Sequence, residues 1–260
     1  MIAFIGLNAL ISAACFVALW LIALRLKDVS FIDSWWAFGL GLLGLLAFFE
    51  SLPAGPRDWL LLGCCEAWAL RLGFYLLLRW RRNGRDPRYD RMLGGIESKR
   101  GMGFARASLL YVFALQYALQ FVISLPVQLG QWSGTGAIGI LSEMGFGLFL
   151  FGFLFEAIAD WQLARFKSRP ENKGKIMDGG LWKYTRHPNH FGDACVWWGL
   201  FLIASESGYV IVILFSPALM SFLLTSFSGA PTVESRMGKR PEYAEYIRRT
   251  HGFVPWFPKH

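Results

Sequence analysis

Seven long apolar segments limit what this chain can fold into more than any other feature. A spanning helix needs about 20 consecutive apolar residues, and irregular backbone is not tolerated against lipid because its polar groups stay unsatisfied. With 55% hydrophobic residues, the 260-residue chain is too apolar for a soluble domain of its size. We therefore predict an all-α integral membrane protein, with a single transmembrane domain over 1–260 and about seven transmembrane helices. The predicted spans are 2–24, 31–50, 59–79, 107–127, 136–159, 190–205 and 208–228.

The basic residues indicate how these spans are oriented. Apart from Arg57 and Arg71, the 26 Lys and Arg residues all follow the first, third, fifth or seventh span. The positive-inside rule places such segments in the cytosol, so we predict an external N-terminus, a cytosolic C-terminus and a location in a bacterial inner membrane. Basic residues at membrane edges attract anionic lipid headgroups, so we expect membrane lipids as partners. Because these residues are not part of a soluble module, we expect no nucleic acid.

Charged side chains within the spans predict a polar cavity that opens to the cytosol. Such residues are costly in hydrocarbon and usually face water or one another. Arg71, Tyr75 and Arg79 recur every four residues and share one helix face, and Glu156 and Asp160 lie one turn apart. Buried ion pairs that fix helix register are the alternative interpretation. The other members of this set are Asp33, Glu66, Lys167 and Asp193.

The segment 180–193 concentrates polar chemistry at the junction of a basic loop and an apolar helix. Pro188 suits the first helical turn, and the N–H groups that follow it can receive a phosphate. Arg186 adds a bidentate donor, and Trp182 and Tyr184 offer stacking faces. This pattern is typical of a site for an anionic cofactor, although a capped helix start with interfacial aromatic residues is also compatible with it.

Two patterns in the chain are not assigned a function. His187 and His190 have no third ligand on the same face, so we predict no metal site. The glycines of 39–44 match the dinucleotide pattern G-x-G-x-x-G, but that pattern binds pyrophosphate only in a strand-to-helix turn with free N–H groups. We predict that these glycines lie inside an apolar helix.

The motif around Arg186 resembles that of a known superfamily. The residues concerned are Gly180, Trp182, Arg186, His187, Pro188, Asn189, Gly192 and Asp193, followed by Glu234, Tyr243, Tyr246, Arg248 and Pro255-Trp256-Phe257-Pro258. Together they resemble the steroid 5α-reductase and sterol C14-reductase superfamily, and the whole chain looks like its short bacterial branch of proteins of unknown function. The resemblance is strong over 150–260 and weaker before it. The motifs that contribute there are Asp33-Ser34-Trp35-Trp36, Trp68-Ala69-Leu70-Arg71-Leu72-Gly73 and Arg88-Tyr89.

The resemblance implies an enzyme that uses NADPH to reduce an activated carbon–carbon double bond in a steroid-like molecule or another lipid. Basic residues near the cavity would then neutralise the phosphates of the cofactor. The residues that we assign to NADPH contact are Arg71, Glu156, Asp160, Arg165, Lys167, Trp182, Tyr184, Arg186, His187, Asn189, Asp193, Glu234 and Arg236.

Catalytic residues are also implied by the resemblance. In 5α-reductases a Glu and a Tyr hold the substrate oxygen, and Asp33 lies at the Glu position of this chain. The Tyr position is occupied by Trp68, whose indole donates a hydrogen bond but supplies no proton. Either Tyr75 takes its place as the partner of Asp33, or the substrate differs from that of the 5α-reductases. We expect Trp35, Trp36 and Trp68 to contact substrate.

Two other classes of function stay open. Isoprenylcysteine and phospholipid methyltransferases are small membrane proteins that carry a similar Arg-His-Pro motif but bind S-adenosylmethionine. Their pattern usually has Tyr where this chain has His190, and paired Glu residues where it has only Glu234. A non-catalytic lipid-binding membrane protein would explain the aromatic content and the basic segments, but not Glu156, Asp160 and Asp193.

Overall fold

The computed structural model describes residues 1–132, 136–227, 234, 237 and 240–259. Over these residues the chain is all α-helical without a strand, as predicted. An isolated bridge joins Thr185 to His251. The helices are α1 Ile2–Leu26, α2 Ile32–Glu50, α3 Pro56–Asn83, α4 Pro87–Arg100, α5 Phe104–Ile123, α6 Leu125–Leu129, α7 Ile140–Ser168, α8 Pro188–Ser205, α9 Val210–Phe227 and α10 Pro241–Arg249.

Six of the described helices are long and apolar enough to cross a membrane, namely α1, α2, α3, α5, α7 and α9. The predicted span 190–205 does form a helix, α8, but it is not among these six. Its first turns contain Asn189, His190 and Asp193, which lower its mean hydropathy. The predicted count of seven spans is therefore not confirmed. Residue 228, at the end of the last predicted span, lies outside the described residues.

Two long helices are interrupted for identifiable reasons. α9 is broken at Leu214, three residues before Pro217, because a proline has no N–H to donate to the preceding turn. Pro126 lies in the first turn of α6, directly after α5 ends. Within α5, the stretch Leu109–Ala114 is wound as a π-helix, a local widening that often marks functional positions.

The described chain forms two compact units. The first comprises Met1–Gly139 with Ala204–Ile213, and the second comprises Ile140–Ile203 with Leu214–His260. In the first unit, α2 and α3 pack closely through glycines: a Cβ at Gly41 would lie 2.9 Å from the Ala69 Cβ. Gly41 belongs to the glycine pattern of 39–44, which lies inside α2 as predicted.

In the second unit, glycines bring α7 and α8 into close contact. A Cβ at Gly152 would lie 2.6 Å from the carbonyl oxygen of Gly192, and one at Gly199 would lie 2.6 Å from the backbone nitrogen of Phe149. Small residues at such positions let helix backbones approach each other in membranes. This contact sets the start of α8, with its polar residues, against the last turns of α7.

Candidate functional site

The loop before α8 is fixed to α7 by hydrogen bonds from its own backbone and side chains. The indole N–H of Trp182 donates to the carbonyl oxygen of Ala159 at 3.2 Å, and the Leu181 N–H donates to the side chain of Gln162 at 3.0 Å. Gly180 has a φ of 58°, a conformation that favours glycine. The segment that carries the predicted cofactor motif is therefore held by hydrogen bonds to α7.

The C-terminal tail closes on the same loop. The hydroxyl of Tyr246 donates to the Trp182 carbonyl at 2.6 Å, and the Arg186 N–H donates to the His251 carbonyl at 2.9 Å. The Thr185 hydroxyl lies 2.8 Å from the Phe253 carbonyl oxygen. Burial raises the pKa of the Tyr246 phenol, so it stays protonated and available to donate. The tail is thereby an integral part of the candidate site.

One carboxylate oxygen of Glu234 binds both Arg186 and His187. It lies 2.7 Å from an Arg186 terminal nitrogen and 3.1 Å from His187 Nε2, while another Arg186 nitrogen donates to the Thr250 carbonyl at 2.7 Å. Burial alone would raise the pKa of Glu234, but hydrogen bonds from Arg186 and His187 hold that pKa below its usual value. Arg186 thus ties the start of α8 to the tail.

His187 is the most deeply buried member of this group, with 2% of its surface exposed. Desolvation holds the pKa of its imidazole below the usual value despite the opposing effect of Glu234, so the ring is neutral at pH 7. It stacks on His190 with the ring centroids 5.4 Å apart. A neutral ring donating to Glu234 suits a residue that positions α8.

Asp160 and Asn189 form the second polar contact of the site. The Asn189 amide donates to the Asp160 carboxylate at 3.3 Å, joining the last turns of α7 to the first turn of α8. Asp160 and Glu156 are both buried, one turn apart on α7. The structure therefore brings together the predicted residues Asp160 and Asn189 at the helix start where anion binding is expected.

Several other predicted cofactor residues lie at the surface of this unit. Arg165 is exposed and stacks over the ring of Trp161, and Lys167 is also exposed. Tyr184 packs against Phe257 with 37% of its surface exposed. Asp193 lies on α8, partly buried. Arg236 lies outside the described residues.

In the first unit, the predicted acid Asp33 lies within a group of donors. Tyr89 donates its phenol to one Asp33 oxygen at 2.6 Å, and Arg88 donates to the other at 3.1 Å. Arg79 lies 3.7 Å from the same carboxylate, and Gln116 donates to the Tyr89 hydroxyl at 3.2 Å. Side chains from α3 and α4 therefore contact this carboxylate of α2, and α5 is joined to the group through Gln116 and Tyr89.

Tyr89 belongs to this group of residues, but no catalytic or binding role was predicted for it from the sequence. Its sequence signal was the Arg88-Tyr89 pair, which contributes to the family resemblance but carried no role. Burial raises the pKa of Tyr89, as does the nearby Asp33 carboxylate, so its phenol keeps its proton at neutral pH. The phenol donates its proton to Asp33 and accepts from the Gln116 amide, so it connects the carboxylate on α2 to α5.

The remaining predicted residues of the first unit are distributed over α2 and α3. Trp68 is fully buried in α3. Arg71 and Tyr75 follow it on α3 and are partly buried. Trp35 and Trp36 lie on α2, where both of their carbonyl oxygens accept from the side chain of Gln120.

The fold and these polar clusters define a multi-pass α-helical membrane protein with buried charged groups at its helix ends. The chain belongs to the family described as "Protein of unknown function (DUF1295)", whose profile matches residues 19–250.

Comparison with curated proteins gives a second finding. Over 101 residues the chain is 30% identical to a protein named "Probable O-methyltransferase ustE" from Ustilaginoidea virens. That match covers 38% of this chain and 34% of the relative, so the chain spans about a third of the length of the relative. No solved structure matches the chain.

Proposed function

We propose that this protein is a membrane enzyme that uses NADPH to reduce an activated carbon–carbon double bond in a steroid-like molecule or another lipid. The hydride of NADPH would add to the β-carbon of an enone-like substrate and a proton to the neighbouring carbon, leaving NADP⁺ and the saturated product. The observation that carries the proposal is the Asn189–Asp160 contact at the start of α8, because it joins two residues that the family resemblance assigns to the cofactor.

The residues at this helix start fit a phosphorylated cofactor in part. The first N–H groups of any α-helix have no intrahelical partner, and together with the helix dipole they favour an anion. Asn189 adds an amide that can bind a ribose or a carboxamide. Arg186 is already engaged by Glu234 and Thr250, so we assign it to positioning the helix start and not to phosphate contact.

The proposed proton source is Tyr89, with Asp33 as the residue that orients it. Tyr89 carries a proton at neutral pH and donates it to Asp33. For transfer, the O–H would turn from Asp33 toward the substrate, while the contacts with Asp33 and Gln116 hold the phenol in place beforehand. Trp68 occupies the position of the Tyr in 5α-reductases and supplies no proton. Tyr89 would provide the acid in its place. Tyr75 stays the alternative donor.

A second candidate function is methyl transfer from S-adenosylmethionine. The similarity to a protein named as a probable O-methyltransferase favours it. Glu234 is a carboxylate at the site, and carboxylates can bind the ribose or the amino group of S-adenosylmethionine. This candidate predicts a different cofactor for the same site, so a binding measurement separates the two.

The test is the affinity of the purified protein in detergent for NADPH, NADH and S-adenosylmethionine. We expect NADPH to bind at least about tenfold more tightly than NADH, because attraction of the predicted cofactor residues Arg165 and Lys167 to the 2′-phosphate would contribute about 1.4 kcal/mol or more. Asn189→Ala should weaken NADPH binding about tenfold, since a hydrogen bond to a charged or polar cofactor group is lost.

The matched control is Asn83→Ala, the same change at an exposed residue at the end of α3. It should leave NADPH affinity unchanged. Tight binding of S-adenosylmethionine, with NADPH and NADH bound equally weakly, would replace the reductase by the methyltransferase.

A further inference from the structure

An apolar groove runs along the membrane-spanning helices α1, α2 and α3 of the first unit. It has a volume of about 280 Å³ and is lined almost entirely by carbon. Ile22 and Leu26 on α1, Phe38 on α2, and Leu77 and Trp80 on α3 form most of its wall. Ile22 and Leu26 are each nearly half exposed, so the groove is open along one side.

The end of the groove near Leu26 is surrounded by cations. Arg85 donates to the Leu26 carbonyl oxygen at 3.0 Å, so its guanidinium lies directly beside the lining. Lys27 follows Leu26 and is exposed, and Arg25 lies one turn after Ile22 on the same helix face. Arg81 likewise lies one turn beyond Leu77 on α3.

Asp28 is an acidic group at this end that interacts electrostatically with Arg85, but it is buried and bonded within the protein, whereas Arg25 and Lys27 are exposed. Asp28 is 8% exposed and accepts hydrogen bonds from the Ser30 N–H at 2.8 Å and from the Trp80 indole at 2.9 Å. Burial acts to raise the pKa of Asp28, but these bonds hold the pKa below its usual value. The bond to Asp28 also fixes the Trp80 ring as a rigid wall of the groove. The exposed charge at this end is therefore positive.

We propose that this groove binds an anionic glycerophospholipid of the surrounding bilayer. One acyl chain would lie in the apolar channel along α1, α2 and α3. The phosphate headgroup would lie outside it, against Arg85, Lys27 and Arg25. The orientation predicted from the basic residues puts this end at the cytosolic leaflet, where anionic lipids and basic side chains attract each other.

The volume of the groove and the cations at its end favour an anionic lipid over a neutral one. A volume of about 280 Å³ holds part of an acyl chain but not a whole lipid, so the headgroup has to reach the cations outside. A neutral lipid would fill the channel equally well but gain nothing from Arg85 and its neighbours. Trp35, which the family resemblance assigns to substrate contact, also lines the groove. The proposal concerns binding of the anionic lipid alone and does not require that this lipid is reduced, so it goes beyond the proposed reductase activity.

The experiment is native mass spectrometry of the detergent-purified protein, titrated with phosphatidylglycerol or phosphatidylcholine of identical acyl chains. The wild type should retain one phosphatidylglycerol with at least about fivefold higher affinity than phosphatidylcholine, the effect expected of one cation at a membrane surface. Leu77→Trp should fill the groove and abolish retention of either lipid. Arg85→Gln should lower phosphatidylglycerol affinity about fivefold and leave phosphatidylcholine unchanged.

Adjacent residues provide matched controls. Leu78→Trp places the same ring on an exposed face of α3 outside the groove, and Arg82→Gln removes a cation one turn after Leu78. Both should behave as wild type. If Leu77→Trp does not fold, Ile22→Trp tests the same channel from α1. Equal affinity for the two lipids in the wild type, or equal retention by Leu77→Trp and Leu78→Trp, would overturn the proposal.

Discussion

Glu234 is the residue on which the arrangement of the candidate site most depends. Its carboxylate binds Arg186 and His187, while Arg186 also binds the Thr250 carbonyl of the tail. Removing one member of such a group leaves the others partly buried without their partner, which is costly. The start of α8 and the tail should therefore be stabilised together by this one side chain.

We expect Glu234→Gln to lower the free energy of unfolding at pH 7 by about 2 kcal/mol, the range for hydrogen bonds to charged groups. Because the folded pKa of Glu234 lies below its usual value, its contribution is present above about pH 4.5 and is lost as the pH falls through the folded pKa. The measurement is the apparent melting temperature of both proteins in detergent as a function of pH.

The difference between wild type and Glu234→Gln should therefore shrink on acidification. Glu242→Gln is the matched control, because Glu242 is exposed and lies 3.9 Å from Arg240. It should have almost no effect at any pH. A difference for Glu234→Gln that does not shrink at any pH below 4.5 at which the protein stays folded would show that its charge does not stabilise the site.

The proposed acid can be tested by removing one hydroxyl. We expect Tyr89→Phe to lower turnover of the lipid substrate at least about 100-fold, the range for loss of a general acid, while NADPH affinity stays unchanged. Tyr75→Phe tests the alternative donor that the sequence predicts. Tyr111→Phe is the control, since the Tyr111 hydroxyl accepts a hydrogen bond from the exposed Arg100, away from Asp33. Lost turnover in Tyr75→Phe but not in Tyr89→Phe would return the role to Tyr75.

Residue types near the site could be read from the sequence, but their partners could not. The family resemblance assigned both Asp160 and Asn189 to the cofactor, and the structure brings the two side chains into contact. The pairing of Arg186 with Glu234 was not predictable, because it joins residues 48 positions apart through tail packing. Asp33 was singled out as a charge at the start of a span, whereas Tyr89 was missed because α4 is a short amphipathic helix outside the apolar windows.

At the scale of helices, the contact between α7 and α8 rests on individual glycines. A Cβ at Gly152 would lie 2.6 Å from the Gly192 carbonyl oxygen and 2.7 Å from the Cys195 Cβ, closer than packed atoms allow. At Gly147, five residues earlier on the same helix, nothing lies within 4 Å of the added Cβ. Gly152 is therefore needed for the close approach of α7 and α8, whereas Gly147 is not, although both glycines lie in the same apolar helix.

Gly152→Ala should lower the free energy of unfolding by about 1–3 kcal/mol, the usual cost of overpacking. Gly147→Ala should be neutral or stabilising by up to about 1 kcal/mol, because alanine favours the helix. Melting temperatures of the two variants in the same detergent provide the comparison. Equal effects of the two substitutions would mean that the close approach of α7 and α8 is not required for stability.

Most helices could be predicted from the length of their apolar segments. The predicted ends were wrong by a few residues where the helix continues into polar sequence. Predicted span 59–79 is part of α3, Pro56–Asn83, whose last turns are basic. α8 was predicted as a span because its second half is apolar. Its first half is polar because those residues build the candidate site, so hydropathy alone does not decide whether it crosses the membrane.

At the scale of the whole molecule, the orientation depends on α8. If α8 crosses the bilayer, seven spans put the basic tail in the cytosol together with the basic segments after α3 and α7, as predicted from the charge. We expect a fluorescent-protein fusion after Lys259 to fluoresce, and an alkaline phosphatase fusion inserted at Gly208 to be active. An inactive phosphatase at Gly208 together with an active one at the C-terminus would mean that α8 does not cross.

The proposed function requires that the site holds a hydride donor next to a lipid. Its most direct test is to incubate the protein in membranes with a total lipid extract, NADPH deuterated at C4 of the nicotinamide, and S-adenosylmethionine carrying a ¹³C-methyl group. Mass spectrometry of the lipids should then show deuterium in a saturated product, and Asn189→Ala should reduce its amount. Labelled methyl groups in the lipid, with no deuterium transferred, would contradict the proposed reductase activity.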